Sequence, residues 1–330
     1  MVNSELRITN GELADQRISE SADQRISESA DQRISESADQ RISESTDQSS
    51  VLSTQSSVLS TQSSVLSTQP LALSTSPFFF PGNEIGVVLI HGFLTSPGEM
   101  QLLGESLAAA GMTVSGVRLR GHATDPADLD GVRWQDWVED ARVALAGLRE
   151  MCTRVYVAGL SLGSVLALYT AALEPVDGVI AYSTPDAALM RRWGLHLMPF
   201  ATRRLRLAPK IGSDVRDPVA RRAHFTYRHI PLDAVEQLYA VVRALDLALP
   251  RVTAPVLLLH ARRDRLVTRA AVERVAANLG GPATIVSIAR GGHTMVLDYD
   301  RERVFELTRE WIMGNGDSGL GNWKSVMRNE

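Results

Sequence analysis

The sequence predicts an α/β fold, a doubly wound and mainly parallel sheet with a helical lid, preceded by a long tail outside the fold. Three observations predict it. Strand-like and helix-like segments alternate from residue 85 onward, the alternation breaks once over residues 185–250, and residues 14–69 consist almost entirely of exact repeats. Alternation of this kind places helices on both faces of a parallel sheet. The interrupting block then lies over the carboxyl edge of the strands, where such sheets bind ligands.

The tail is read from its repeats. ADQRISES occurs four times without change from Ala14 to Ser45, and SSVLSTQ three times from Ser49 to Gln69. One Ile per octapeptide cannot offset a backbone ordering cost of about 1–2 kcal/mol per residue. The seven-residue period fails as a coiled coil, because Val and Leu are adjacent rather than spaced three and four apart. Residues 1–76 are therefore expected to be disordered. Perfect repetition fits recent slippage at the DNA level, and the next methionine after Met1 is Met100, inside the expected fold. A different start codon between Val51 and Leu73 would make the tail an artefact of gene calling. Residues 315–330 are read as a flexible C-terminal tail.

Composition narrows the function classes. Of 330 residues, 44% are apolar and 22% charged, an ordinary globular balance. Residues 1–50 hold eleven acidic side chains against five Arg, so the net charge of −4 leaves the remainder slightly positive. A near-neutral fold offers no basic face for nucleic acid. The lone cysteine, Cys152, excludes a disulfide within the chain and suits a small buried side chain. No basic start followed by an apolar stretch marks a secretory signal, and no apolar run approaches the ~18 residues that cross a bilayer. A cytoplasmic protein is expected.

The elements follow in order. Ordered chain is expected from Pro77, with the Phe78-Phe79-Phe80 cluster covering a sheet edge. Ile85–Ile90 is a continuous apolar run, the pattern of a strand buried on both faces. Ser96 is read as the N-cap of a helix that Gly111 closes. Met112–Leu119, Arg154–Ala158, Val176–Tyr182, Pro255–Leu259 and Thr284–Ile288 read as strands. Trp134–Glu150, Leu162–Ala172, Arg269–Leu279 and Asp300–Met313 read as helices. The block 185–250 is Arg- and Leu-rich, reads mostly as helix and shows no convincing strand.

The chemistry sits at strand ends. Gly159-Leu160-Ser161-Leu162-Gly163 joins a strand to a helix, the context a nucleophile elbow requires. A tight turn there lifts the Ser161 hydroxyl above the sheet, and the helix aims its first amides at developing negative charge. His91-Gly92-Phe93 follows the first clear strand, in the loop that supplies one oxyanion amide in this architecture. Phe93 is the candidate, and Leu162, after the nucleophile, is the other. Asp264 and His293 each follow a strand, in the chain order Ser161, Asp264, His293. The carboxylate would hold the proton on one imidazole nitrogen while the other accepts the serine proton. Asp298 and Asp300 fit the approach to the last helix better than the acid position. His91 and His122 are read as loop-shaping, and His260 as weaker than Asp264. No His or Cys cluster has metal-ligand spacing and no Gly-rich phosphate loop follows a strand, so neither metal nor cofactor is expected.

With these residues placed, the chain from about Phe79 to Met313 resembles the bacterial carboxylesterase and monoacylglycerol lipase branch of the α/β-hydrolases. The matching stretches are VVLIHGF (87–93), RGHATDPADL (120–129), WVEDARVAL (137–145), VYVAGLSLGS (155–164), PVLLLHARRD (255–264) and GGHTMVLDYDRERVF (291–305), with GSDVRDPVARR (212–222) in the lid. The resemblance implies an α/β-hydrolase domain over 77–314, with a helical lid inserted before the strand leading to the acid. It implies hydrolysis of small-molecule carboxylic esters with short or medium acyl chains. It assigns nucleophile, acid and base to Ser161, Asp264 and His293, and the oxyanion amides to Phe93 and Leu162. Ser164 departs from the usual glycine and Thr268 from the usual proline. The same triad would serve an acyl-thioesterase, with Arg191, Arg192, Arg203 and Arg204 meeting an acyl carrier's phosphates; a solvated lid face is the plainer role for them. A ligand-binding relative that has lost catalysis would lack the serine or histidine, and here both are present.

Overall fold

The computed structural model describes residues 71–192, 194, 207–209 and 214–314. Among them, strands β1 (Phe78–Phe80), β2 (Ile85–Ile90), β3 (Thr113–Val117), β4 (Arg154–Leu160), β5 (Gly178–Tyr182), β8 (Val256–Ala261) and β9 (Ala283–Ile288) form a seven-stranded sheet in the order β1-β3-β2-β4-β5-β8-β9. Every pairing is parallel except β1 with β3.

The continuous apolar runs are explained by the two cores. Val88 and Ile90 of β2, Val155 and Val157 of β4, and Val256 and Leu258 of β8 point to one face. Their neighbours Val87, Leu89, Tyr156, Ala158, Leu257 and Leu259 point to the other. Strand side chains alternate, so a strand covered on both faces must be apolar throughout. Helices α1 (Gly98–Ala109) and α8 (Arg301–Gly314) cover the second face through Met100, Leu103, Leu107, Val304, Phe305 and Trp311. Helices α2 (Trp134–Arg149), α3 (Leu162–Leu173) and α7 (Arg269–Asn278) cover the first. In α2 the buried Trp137, Ala141, Leu145 and Leu148 form one stripe at helical spacing.

Between β5 and β8 lie α4 (Ala187–Arg192), α5 (Pro218–Ala223), α6 (Leu232–Ala248) and a two-stranded antiparallel ribbon of β6 (Leu207–Pro209) and β7 (His229–Pro231). The absence of strands expected in this block is thus corrected. Two segments of three residues, each ending in Pro, carry no period to read. The block is also not all lid. Val241, Val242 and Leu245 of α6 are fully buried in the same core as α2 and α3.

Two further corrections concern ends. Leu71 and Leu73 pack against the core, and Ser74 N–H donates to Gln101 Oε1 at 2.8 Å, so residues 71–76 belong with the fold rather than the tail. The rest of the expected tail and residues 315–330 lie outside the described residues. Ser96 does not cap α1; its hydroxyl donates to Ser74 O at 3.3 Å instead. No described helix is long and apolar enough to cross a membrane.

Candidate active site

All four loops singled out in the sequence leave the carboxyl ends of their strands. Ser161 stands between β4 and α3 with φ 55° and ψ −111°, a left-handed conformation that costs a non-glycine residue about 1–3 kcal/mol. Its N–H donates to Tyr182 O at 2.9 Å, tying the turn to the end of β5. The two glycines of the pattern are there for space. A Cβ on Gly159 would lie 2.2 Å from Gly163 C and O, and one on Gly163 would lie 2.1 Å from Ile90 O. Backbones of β2, β4 and α3 therefore meet directly, and the serine is left at the crest of the turn.

Asp264 and His293 are brought together. His293 Nδ1 lies 2.9 Å from Asp264 Oδ2, with the carboxylate fully buried. Asp264 Oδ1 accepts from Leu266 N–H at 2.7 Å and Val267 N–H at 2.9 Å. Burial raises the carboxyl's pKa, but the facing imidazole and these amides outweigh it and hold it below its usual value. Burial equally pushes His293 down, and the Asp264 charge and hydrogen bond outweigh it, so its pKa stands above the ordinary value. With Nδ1 committed to Asp264, Nε2 is the nitrogen left to exchange a proton. The backbone of His293 is held too: its carbonyl accepts from the Ser183 hydroxyl at 2.9 Å and its N–H donates to Asp214 Oδ2 at 2.5 Å.

The loop after β2 is wound tightly. His91 Nδ1 donates to Gly92 O at 2.8 Å and its Nε2 accepts from Leu119 N–H at 3.2 Å, so the ring is neutral and fixed. Burial keeps its pKa low. Phe93 follows in the turn, and Leu94 takes a left-handed φ of 61°. Leu162 is the first residue of α3, so its N–H has no acceptor within the helix.

The family model described as serine aminopeptidase, S33, matches residues 83–300, about two thirds of the chain. The chain belongs to the serine aminopeptidase S33 family. Within this family it falls in the esterase and lipase branch of the α/β-hydrolases. It is similar to a thermostable monoacylglycerol lipase of Bacillus sp. (strain H-257), 28% identical over 241 residues that cover 71% of this chain and 93% of that protein. It is similar to a carboxylesterase of Bacillus subtilis (strain 168), 20% identical over 71% of this chain and 95% of the relative. Among solved structures, one from work on the metagenome-derived lipolytic enzymes LipS and LipT superposes with a TM-score of 0.69 at 29% identity, covering 74% of this chain and 100% of that one. The Paleococcus ferrophilus monoacylglycerol lipase, at 18% identity over 74% of this chain and all of its own, shares the fold with a TM-score of 0.63.

The two departures of this S33-family chain have structural roles. The Ser164 hydroxyl donates to Ser161 O at 2.6 Å and braces the elbow. The Thr268 hydroxyl accepts from Ala271 N–H at 3.3 Å and caps α7. The rival residues are also placed. Asp298 is fully buried and does not touch an imidazole: its oxygens accept from the N–H groups of Gly292 (2.8 Å), Tyr299 (2.9 Å), Asp217 (3.0 Å) and Arg216 (3.1 Å). It staples the base's loop to the segment between β6 and β7. Asp300 binds Arg290. His260 Nε2 donates to Val267 O at 3.2 Å, bracing the acid's turn. His122 donates from Nδ1 to Arg120 O at 3.1 Å and packs edge-on to Phe93 and Trp137; burial lowers its pKa to about 3, so it stays neutral. Arg191 and Arg192 are exposed at the end of α4, while Arg203 and Arg204 lie outside the described residues.

Sequence reasoning missed Asp214, Glu99 and His224. Asp214 sits in a stretch already singled out, GSDVRDPVARR, but nothing in its spacing tied it to His293.

Proposed function

We propose that the protein is a serine carboxylic-ester hydrolase acting through an acyl-enzyme, on small-molecule esters with short to medium acyl chains. The observation that carries the reading is the buried Asp264–His293 hydrogen bond of 2.9 Å, on loops at the same sheet edge as the strained Ser161 turn. His293 Nε2 takes the Ser161 proton as the serine oxygen attacks the ester carbonyl. The oxyanion is met by the amides of Phe93 and Leu162, donors in place before reaction and worth several kcal/mol together. Collapse returns the proton from Nε2 to the departing alcohol and leaves the acyl group on Ser161. Water, deprotonated by the same nitrogen, then releases the carboxylic acid and restores the serine. Asp264 keeps the imidazole in the required tautomer and stabilises the imidazolium. The scheme uses no cofactor.

The names of the relatives, a monoacylglycerol lipase and a carboxylesterase, support an ester rather than the peptide bond in the family's description. The lone Cys152, which has no second cysteine in the chain to pair with, is compatible with a reducing, cytoplasmic setting. The test is hydrolysis of nitrophenyl esters of graded acyl length, matched acyl thioesters and a peptide anilide by the wild-type protein and Ser161→Ala. Ester cleavage falling off at long chains, and lost in the variant, is expected. Preference for the thioester at equal chain length would make the protein a thioesterase. Turnover of the anilide alone would make it a peptidase.

A further inference from the structure

The loop after β2 rests on a buried carboxylate that the reaction scheme does not use. Glu99, in the first turn of α1, is 2% exposed. Its Oε2 accepts from Gly92 N–H at 2.6 Å and lies 3.0 Å from the Thr95 hydroxyl. Its Oε1 lies 2.9 Å from Nε2 of His224, which follows α5 in the block between β5 and β8 and whose side chain is 6% exposed. A carboxylate taken from water is costly unless donors surround it, and here they come from two different parts of the chain. The hydrogen bonds of the Glu99 side chain run to Gly92, Thr95 and His224. The approach to Gly92 is close enough that a Cβ there would stand 2.9 Å from Oε2.

The neighbouring bonds make this contact matter to the Phe93 amide. Gly92 O and Phe93 N–H belong to one planar trans peptide, so fixing the carbonyl fixes the direction of the N–H. Gly92 O is held by His91 Nδ1 at 2.8 Å and by the Thr95 hydroxyl at 3.0 Å. Gly92 N–H, on the preceding peptide, is held by Glu99. The loop is thus pinned on both sides of Gly92, with the carboxylate touching Thr95 as well. A second tie runs from the same segment as His224: Tyr227 N–H donates to Leu94 O at 3.0 Å.

We propose that Glu99 is a positioning residue for the Phe93 oxyanion amide, and that His224 seats it, so that the placement of the 214–231 segment is transmitted to the oxyanion loop. The inference rests on the ester-hydrolase reading above, with Phe93 N–H as a donor to the oxyanion. The test compares Glu99→Ala, Glu99→Gln and His224→Ala by kcat, KM and the inhibition constant of an alkylboronic acid, which forms a tetrahedral adduct on the serine. Misplacing one donor is expected to lower kcat about ten- to a hundredfold in Glu99→Ala, with KM little changed and boronate inhibition weakened by the same factor. Glu99→Gln should recover most of the loss, because its amide oxygen can still accept from Gly92 N–H. His224→Ala should show the same pattern at several-fold size, and carries the test if Glu99→Ala does not fold. A folded Glu99→Ala with wild-type kcat and boronate affinity overturns the proposal, as does a His224→Ala that loses melting temperature and nothing else. Ser161→Ala run alongside separates the two readings: if it retains turnover, the ester-hydrolase reading itself has failed.

Discussion

Two carboxylate–histidine pairs flank the carboxyl edge of the sheet, Asp264 with His293 and Glu99 with His224, each with a contact of 2.9 Å and each buried. Their surroundings differ. The spare oxygen of Asp264 is taken by amides of its own loop, and Nε2 of His293 is left for chemistry. The spare oxygen of Glu99 reaches instead to another loop, and His224 ties it to a segment more than a hundred residues away in sequence. In the ester-hydrolase reading the first pair orients and tunes a base, and in the proposal above the second serves as a joint between two segments. Charge follows the same division. His293 has its pKa raised by Asp264 against burial, which suits a base that must be recharged in each cycle. For Glu99, burial raises the pKa, but His224 and the Gly92 amide overcome it and bring it down to about 2, so the joint stays ionised throughout the working pH range.

The largest effect that would break this division is on Ser161 and His293. Ser161→Ala and His293→Ala should each lower kcat about 10⁴- to 10⁶-fold, and the double variant should lose no more, because the two act as a unit. Additive losses would contradict a shared step. Asp264→Asn should leave KM near normal and lower kcat about 10³- to 10⁴-fold through the wrong tautomer, well beyond the loss expected at Glu99.

The pH profile sharpens the contrast further. The imidazole must be neutral to accept a proton, and its raised pKa means that protonation persists to higher pH than usual. The acid limb of kcat/KM should therefore lie above the ordinary imidazole value of about 6.5. In Asp264→Asn the stabilising charge is gone, and the limb should move to lower pH. A limb that stays in place would mean that Asp264 does not govern His293.

Asp298 offers a structural control on the same loop. Removing its charge leaves four N–H donors without a full set of acceptors, and Asp298→Asn should cost about 3–5 kcal/mol of stability. Turnover of the folded fraction should fall far less than in Asp264→Asn; the reverse order would make Asp298 the acid. The smallest effect concerns the N-terminus. Deleting residues 1–70 should leave activity and melting temperature unchanged. Extending the deletion to residue 76 removes Leu71 and Leu73 from the core and should lower the melting temperature, at about 2–4 °C per kcal/mol lost.

What was legible in the sequence was what repeats locally. The run Ile85–Ile90 matched β2 at both ends because a strand covered on two faces must be apolar throughout. Ser161 stood out because a strand–turn–helix crossing needs glycines at fixed offsets, and Asp264 and His293 because each directly follows a strand. Glu99, His224 and Asp214 left no such mark. Their roles depend on contacts 125 and 79 residues apart, made by tertiary folding alone. The ribbon β6–β7 was too short to show a period. The packing of Leu71 and Leu73 was hidden because their flanking Ser and Thr residues look like a continuation of the repeats.

The most direct test of the whole assignment is the rate at which a fluorophosphonate labels the protein across pH, with the labelled residue located by peptide mass spectrometry. Label is expected on Ser161 alone, at a rate that rises with pH through an apparent pKa above about 6.5 and collapses in His293→Ala. Label on another residue, or a Ser161 rate that does not change between acid and neutral pH, would contradict a serine activated by the Asp264–His293 pair.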